Sequence, residues 1–270
     1  MFERLIALFK EPQKYLPLIP KKIQQKFCFL FRNTAFFMQG QMDINPKSLW
    51  NNPDFVKLTG GFFIQGDKTE RQILNLEPWD NTRRDMIILL LRSILENNIQ
   101  GDIAEVGVYK GNTAKLIHYY MPERRLHLFD TFEGFNKKDL SLDNQKTGLS
   151  VKGKHFNDTS FEQVKKNIAS KNDNVMFYKG YFPKSVPESL FNSRFAFVNL
   201  DADLYEPTLK GLEFFFPRMN NNGYILVHDY NAWAGARKAV DDFFAKKPEI
   251  IIPMPDKCGS ALIVKYALPV

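Results

Sequence analysis

From Gly101 onward the chain alternates short apolar runs with stretches whose apolar residues recur at helical spacing. The runs read as buried strands: Ile103 to Val106, Leu126 to Phe129, Val175 to Tyr178, Phe195 to Leu200, Tyr224 to Val227, Ile250 to Ile252 and Ala261 to Lys265. The intervening helices are predicted at Asn112 to Tyr120, near Ser160 to Ala169, at Pro207 to Met219 and at Ala234 to Ala245. Ahead of the first strand, Met86, Ile87, Leu90, Leu91, Ile94 and Leu95 mark one face of a helix over Asn81 to Asn98 that stops before Gly101. Such alternation predicts a mainly parallel sheet with helices on both faces. The last two strands are joined only by Pro253 to Ser260, too short for a crossover, so they are expected to pair antiparallel.

The other segments carry turn residues. Asn45 to Trp79, with Pro46, Pro53, Gly60, Gly61, Gly66 and Pro78, reads as irregular structure over a site or against a partner. Asn136 to Asn157, rich in lysine, reads as a mobile loop near the mouth of the site. The expected division is an amino-terminal arm and lid over residues 1–80 and an α/β domain over 81–270. Seven strands ending in an antiparallel hairpin resemble the Rossmann-like class I methyltransferase sheet more than the six-stranded nicotinamide one.

Polar residues collect where the strands end. Asp201-Ala202-Asp203-Leu204-Tyr205 follows one strand, His228-Asp229-Tyr230 another, Asp130 a third, and Glu105 to Gly111 a fourth. In open α/β sheets ligands bind at that edge. The loop after the first strand reads Glu105-Val106-Gly107-Val108-Tyr109-Lys110-Gly111, whose glycines let a ligand approach the backbone. A dinucleotide site would carry G-x-G-x-x-G and a helix start free to hold pyrophosphate. Here the spacing is G-x-x-x-G, and the Glu105 carboxylate would repel pyrophosphate but suit a cation such as S-adenosylmethionine. Asp130 is placed to accept from ribose hydroxyls, an acid common to both cofactor classes. The adenine would lie between Phe132 and Phe135, or against Tyr181 and Phe182, unless these rings simply pack.

The runs Gly101 to Gly111, Asp130 to Phe135, Lys179-Gly180-Tyr181-Phe182, Leu200 to Tyr205 with Thr208, and Gly223 to Tyr230 occur in an order that resembles the macrocin O-methyltransferase family. The resemblance implies transfer of a methyl group from S-adenosylmethionine to a sugar hydroxyl of a glycan, glycolipid or glycosylated metabolite, commonly with magnesium, in a homo-oligomer. Residues and resemblance together put the cofactor against Glu105, Gly107, Gly111, Asp130, Thr131, Phe132, Gly180 and Asp201. Catalysis is assigned to Asp201 and His228, and a divalent metal, magnesium or manganese, to Asp201, His228 and Asp229. Position 228 departs from the family, which has an acid there. Imidazole suits manganese, iron or zinc better than magnesium. Three readings follow: a metal on all three residues, magnesium on the two acids alone, or no metal with His228 as general base. The altered position also admits a non-catalytic assembly partner that only retains the cofactor. Asp203 is better explained as a helix-start acid, and Tyr205 and Tyr230 read as pocket lining or packing. His118, His127 and His155 recur at no metal-ligand spacing and read as structural.

Charge and cysteine content narrow the setting. The 270-residue chain has a formal charge of +7, spread along its length rather than gathered into a stripe, which argues against nucleic-acid binding. Cys28 and Cys258, far apart and without ligand spacing, point to a reducing cytoplasm rather than a disulfide framework. No apolar run reaches the roughly 18 residues of a membrane span. The first 38 residues mix lysines with phenylalanines and could lie on an anionic membrane, although Pro12, Pro17 and Pro20 favour an arm packed on its own domain or a sister subunit. A small-residue cleavage site is missing where a signal peptide would have one.

Overall fold

The strand at the middle of the sheet explains the rest. Phe195–Leu200 (β4) is buried at all six positions, as expected for a parallel strand covered on both faces. It lies between β1 (Asp102–Val106) and β5 (Met219–Val227), parallel to both, and β1 continues through β2 (Leu126–Asp130) to β3 (Val175–Lys179). Beyond β5 the chain turns back: β7 (Ala261–Val264) pairs antiparallel with β5, and β6 (Ile251–Pro253) antiparallel with β7. The full order is β3-β2-β1-β4-β5-β7-β6. From β1 the chain winds outward to β3 in one direction and from β4 outward in the other, so the topological switch falls between β1 and β4. The computed structural model describes residues 68–76, 80–149, 155–168 and 174–266. The expectations for the amino-terminal arm and its membrane or subunit contacts lie largely outside these.

The helices in chain order are α1 (Lys68–Leu74), α2 (Asn81–Glu96), α3 (Asn112–Tyr120), α4 (Lys137–Thr147), α5 (Phe161–Ile168), α6 (Tyr205–Phe215) and α7 (Ala234–Phe244). Two correct the sequence reading. α1 falls inside the segment expected to be irregular, and its buried Glu70 accepts a 2.9 Å hydrogen bond from Tyr120 on α3. α4 falls inside the expected mobile loop. Its low apolar content hid it, but Asn136 caps its first turn by accepting from Lys138 N–H, and Gly148 ends it in a left-handed conformation. Its inward positions are acids: Asp143 accepts from the Tyr205 N–H at 2.9 Å, satisfying a donor at the start of α6. On α2 the buried stripe runs through Ile87, Ile88, Leu91 and Ile94, while Leu95, expected on that face, is 51% exposed.

Phenylalanine fills the space between sheet and helices. Phe215 of α6 meets Phe195 and Phe214 edge-on at 5.0 and 4.9 Å and stacks on Phe182 at 5.8 Å. Pairs of this kind contribute about 0.5–1.5 kcal/mol each beyond area burial. Phe182 follows β3, so the core itself fixes the loop that borders the cleft.

Candidate active site

Each strand end is hydrogen-bonded to its neighbour one step past the sheet. Gly107 N–H donates to Phe129 C=O, Asp201 N–H to Val106 C=O, His228 N–H to Leu200 C=O, and Gly180 N–H to Asp130 C=O, all between 2.8 and 3.0 Å. These bonds hold five loops side by side around a cavity of about 440 Å³, within the range of small-molecule sites. Glu105, Gly107, Asp130, Thr131, Gly180, Asp201, His228 and Asp229 all line it. Gly111 and Phe132 do not. A Cβ on Gly111, which caps α3 with φ +80, would come within 2.8 Å of the Ile168 side chain, so this glycine serves helix packing. Phe132 is buried edge-on against Phe161 at 5.4 Å. Gly107 faces the cavity, yet what requires glycine there is the protein: with φ +85, a Cβ would lie 2.0 Å from the Asp201 carbonyl oxygen.

On the β1–β2 side the acids are held by neutral donors. Asp130 Oδ2 accepts from Val108 and Tyr109 N–H at 2.6 and 2.9 Å, and Oδ1 from Phe132 N–H at 2.6 Å. It fastens the glycine loop, with one lone-pair direction of Oδ1 left for a ligand. Thr131 Oγ1 closes the adjoining turn, donating to Gly134 C=O and accepting from Glu133 N–H, both at 3.2 Å. Glu105 is 1% exposed. Its Oε1 accepts from Asn199 Nδ2 at 2.8 Å, and its Oε2 is buried without a partner. Burial, reinforced by the Asp201 charge, pushes this carboxyl up to about 8. A cation reaching Oε2 would reverse that shift.

On the β4–β5 side the acids brace each other. Asp201 Oδ2 pairs with Arg83 Nη2 of α2 at 2.6 Å, and Oδ1 with His228 Nδ1 at 2.9 Å. The same Nδ1 lies 3.1 Å from Asp229 Oδ2. Burial works against the Asp201 charge, but His228 and Arg83 together hold the carboxyl below the ordinary range. Burial also works against a charged His228, and the Asp201 carboxylate overcomes it, so the ring holds its proton well above the usual imidazole range. That direction favours the ring that donates to Asp201 over the ring that takes up a proton.

Asp203 is the residue the sequence reading undervalued. It is 5% exposed and sits at φ +59 in a three-residue turn closed by Leu204 N–H to Ala202 C=O at 2.6 Å. Such a backbone costs about 1–3 kcal/mol and persists where the surroundings enforce it. The turn aims the carboxyl into the cavity instead of along the start of α6. Burial, followed by its hydrogen bond to Asp229, raises the Asp203 carboxyl well above the usual carboxylate range, while its Oδ1 is buried without a partner. Asp201, Asp203 and Asp229 each bring an oxygen within 4.8 Å of the others, an all-oxygen set of the kind hard divalent cations prefer. His228 is not needed to complete it. Arg83 was also missed, since nothing in a helical sequence marks one arginine as facing a cleft. Asn199 left a fainter signal, a lone amide within an apolar strand, two residues before Asp201.

A seven-stranded sheet of this order, with an acid-rimmed cleft at its switch point, defines the class as a methyltransferase-type α/β fold. Two solved structures agree at the level of fold: the O-methyltransferase NovP, at TM-score 0.60 and 20% identity over 88% of this chain and 99% of that one, and the calicheamicin methyltransferase CalS11, at 0.55 and 19% over 86% and 91%. Within the class, residues 80–257 match the macrocin-O-methyltransferase (TylF) family. The chain belongs to that family. It is similar to an 8-demethyl-8-(2,3-dimethoxy-alpha-L-rhamnosyl)-tetracenomycin-C 4'-O-methyltransferase of Streptomyces olivaceus, 28% identical over 60% of this chain and 64% of the relative. It is also similar to a mycinamicin III 3''-O-methyltransferase of Micromonospora griseorubida, 26% identical over 57% and 64%. The likeness thus spans just under two thirds of the length of these relatives.

Proposed function

We propose that this protein is an S-adenosylmethionine-dependent O-methyltransferase acting on a sugar hydroxyl of a glycosylated small molecule or glycan, assisted by a divalent cation. The observation that carries the reading is that a partnerless buried glutamate oxygen and three converging aspartates share one cavity. The relatives named for methyl transfer to sugar-bearing metabolites supply the acceptor class.

The bound cofactor supplies an electrophilic methyl on a sulfonium, together with an ammonium group. Glu105 Oε2 is the acceptor for that ammonium, and Asp130 Oδ1 keeps the lone-pair direction a ribose hydroxyl would need. Asp201, Asp203 and Asp229 would hold the cation, whose chemistry is to polarise the acceptor oxygen and favour its alkoxide. The orphaned Asp203 Oδ1 and the raised Asp203 carboxyl beside Asp229 fit a cluster that lacks one positive charge. In the transfer the C–S bond breaks as the C–O bond forms. The hydroxyl proton passes to a carboxylate of this cluster, and S-adenosylhomocysteine leaves. His228 holds Asp201 in place.

No described helix is long and apolar enough to cross a membrane; a homo-oligomer and a cytoplasmic setting are part of the proposal. The test is calorimetry with S-adenosylmethionine and NAD, followed by transfer assays on rhamnosylated acceptors with and without chelator. Cofactor binding, product one methyl group heavier and loss of rate in chelator restored by magnesium or manganese are expected. NAD binding without response to the methyl donor overturns the reading.

A further inference from the structure

The histidine that sets this chain apart at position 228 has a second neighbour. His228, Asp229 and Cys258 each place one potential ligand atom within 4.8 Å of the other two. Cys258 is a free thiol, half-buried. We infer that these three residues form a soft-metal site, selective for zinc-like ions over magnesium, that overlaps the carboxylate cluster at Asp229.

The loop that carries Cys258 is fastened from both sides. Gly259 C=O accepts from the Asn231 N–H at 3.0 Å and from Asn231 Nδ2 at 3.2 Å, tying it to the turn after β5. Gly259, at φ +61, packs so closely on Asn231 that a Cβ would lie 2.5 Å from Nδ2. Lys257 N–H donates to the Asp80 carboxylate at 3.2 Å, tying the other flank to the start of α2. Beneath, Asp256 accepts from Ser260 N–H and Oγ at 2.8 and 2.9 Å. The thiol is therefore presented beside His228 by a fixed frame and not by a free loop.

The histidine is equally well prepared. Its Nδ1 lies 3.1 Å from Asp229 Oδ2, a spacing at which an ion taking the place of the ring proton would be held by both. One sulfur, one nitrogen and one carboxylate oxygen, with a further position open, suit zinc and its tetrahedral analogue cobalt, whereas magnesium takes oxygen. Because Asp229 belongs to both sets, a zinc-like ion here competes with the all-oxygen cation. Zinc would then inhibit a magnesium-supported reaction. The inference needs no assumption about which reaction that is.

Cobalt(II) titration of the full chain, followed by absorption, is the test. A thiolate-to-cobalt charge-transfer band in the near ultraviolet is expected, saturating at one ion per chain, abolished in Cys258→Ser and lost or strongly weakened in His228→Asp. Cys28→Ser should leave it intact. Zinc should bleach the band at equimolar concentration, whereas magnesium in large excess should not. Cobalt binding without the band, a band that survives Cys258→Ser, or a band undiminished in His228→Asp overturns the inference. Cofactor binding measured by calorimetry on the same preparations separates that failure from failure of the proposed methyl transfer.

Discussion

The two halves of the cleft use the same residue type in opposite ways. On the β1–β2 side, Asp130 is held by three backbone N–H groups and Glu105 is bonded to a neutral amide. On the β4–β5 side, Asp201, Asp203 and Asp229 are held by Arg83, by the His228 ring and by one another. The first arrangement shapes a loop; the second stores an imbalance of charge that a cation would relieve. Loss of an acid should therefore damage binding and stability on one side and turnover on the other.

The sharpest way to break this comparison is Asp229→Asn. We expect methyl transfer to fall by about 10²–10⁴-fold, the usual worth of a positioned proton acceptor, with cofactor affinity in calorimetry little changed. Equal loss of both would mean the two halves are not separate. Next in size is Gly107→Ala. The added Cβ meets the Asp201 carbonyl at a strained φ, and overpacking together with strain should cost about 2–5 kcal/mol, read by denaturant unfolding. A neutral outcome would show that the β1 and β4 loops can part.

Asp130→Asn should be milder. Asparagine offers one oxygen where three N–H groups converge, so about 1–3 kcal/mol of stability should be lost, with weaker cofactor binding and a kcat at saturation close to that of the unaltered enzyme. A lower kcat with unchanged affinity would move Asp130 to the chemical side. The test of Glu105 is read in protons. Its carboxyl ionises near 4.5 when unfolded and near 8 when folded. Between those values the folded state holds the extra proton, so the stability of the free protein should fall as pH rises through that window. Binding of the cationic cofactor should expel nearly one proton near pH 7, seen as a dependence of the calorimetric heat on buffer ionisation enthalpy. Glu105→Gln should flatten both, and an unchanged buffer dependence would remove Glu105 from the cofactor site.

Much of this was legible in the chain. The parallel core, the terminal hairpin and the four polar strand ends follow from apolar runs and turn residues, and all four ends do meet at one cavity. α4 escaped because its buried face is built from Asp139 and Asp143, whose partners, Tyr181 Oη and Tyr205 N–H, are distant in sequence. Phe132 was assigned to the cofactor as a neighbour of Asp130, and Gly111 as the second glycine of the turn after β1, yet neither lines the cavity. Adjacency in the chain does not say which way a side chain points.

The order of apolar and polar residues by itself determined the sheet, because burying each apolar run on both faces leaves few topologies open. It also determined which strand ends carry acids. Only the folded chain decided how those acids are spent. The closeness of Asp203 and Asp229, the Arg83 clamp on Asp201 and the approach of Cys258 to His228 all depend on distances of a few ångströms between residues far apart in sequence, and electrostatic energies at that range are set by burial and geometry rather than composition.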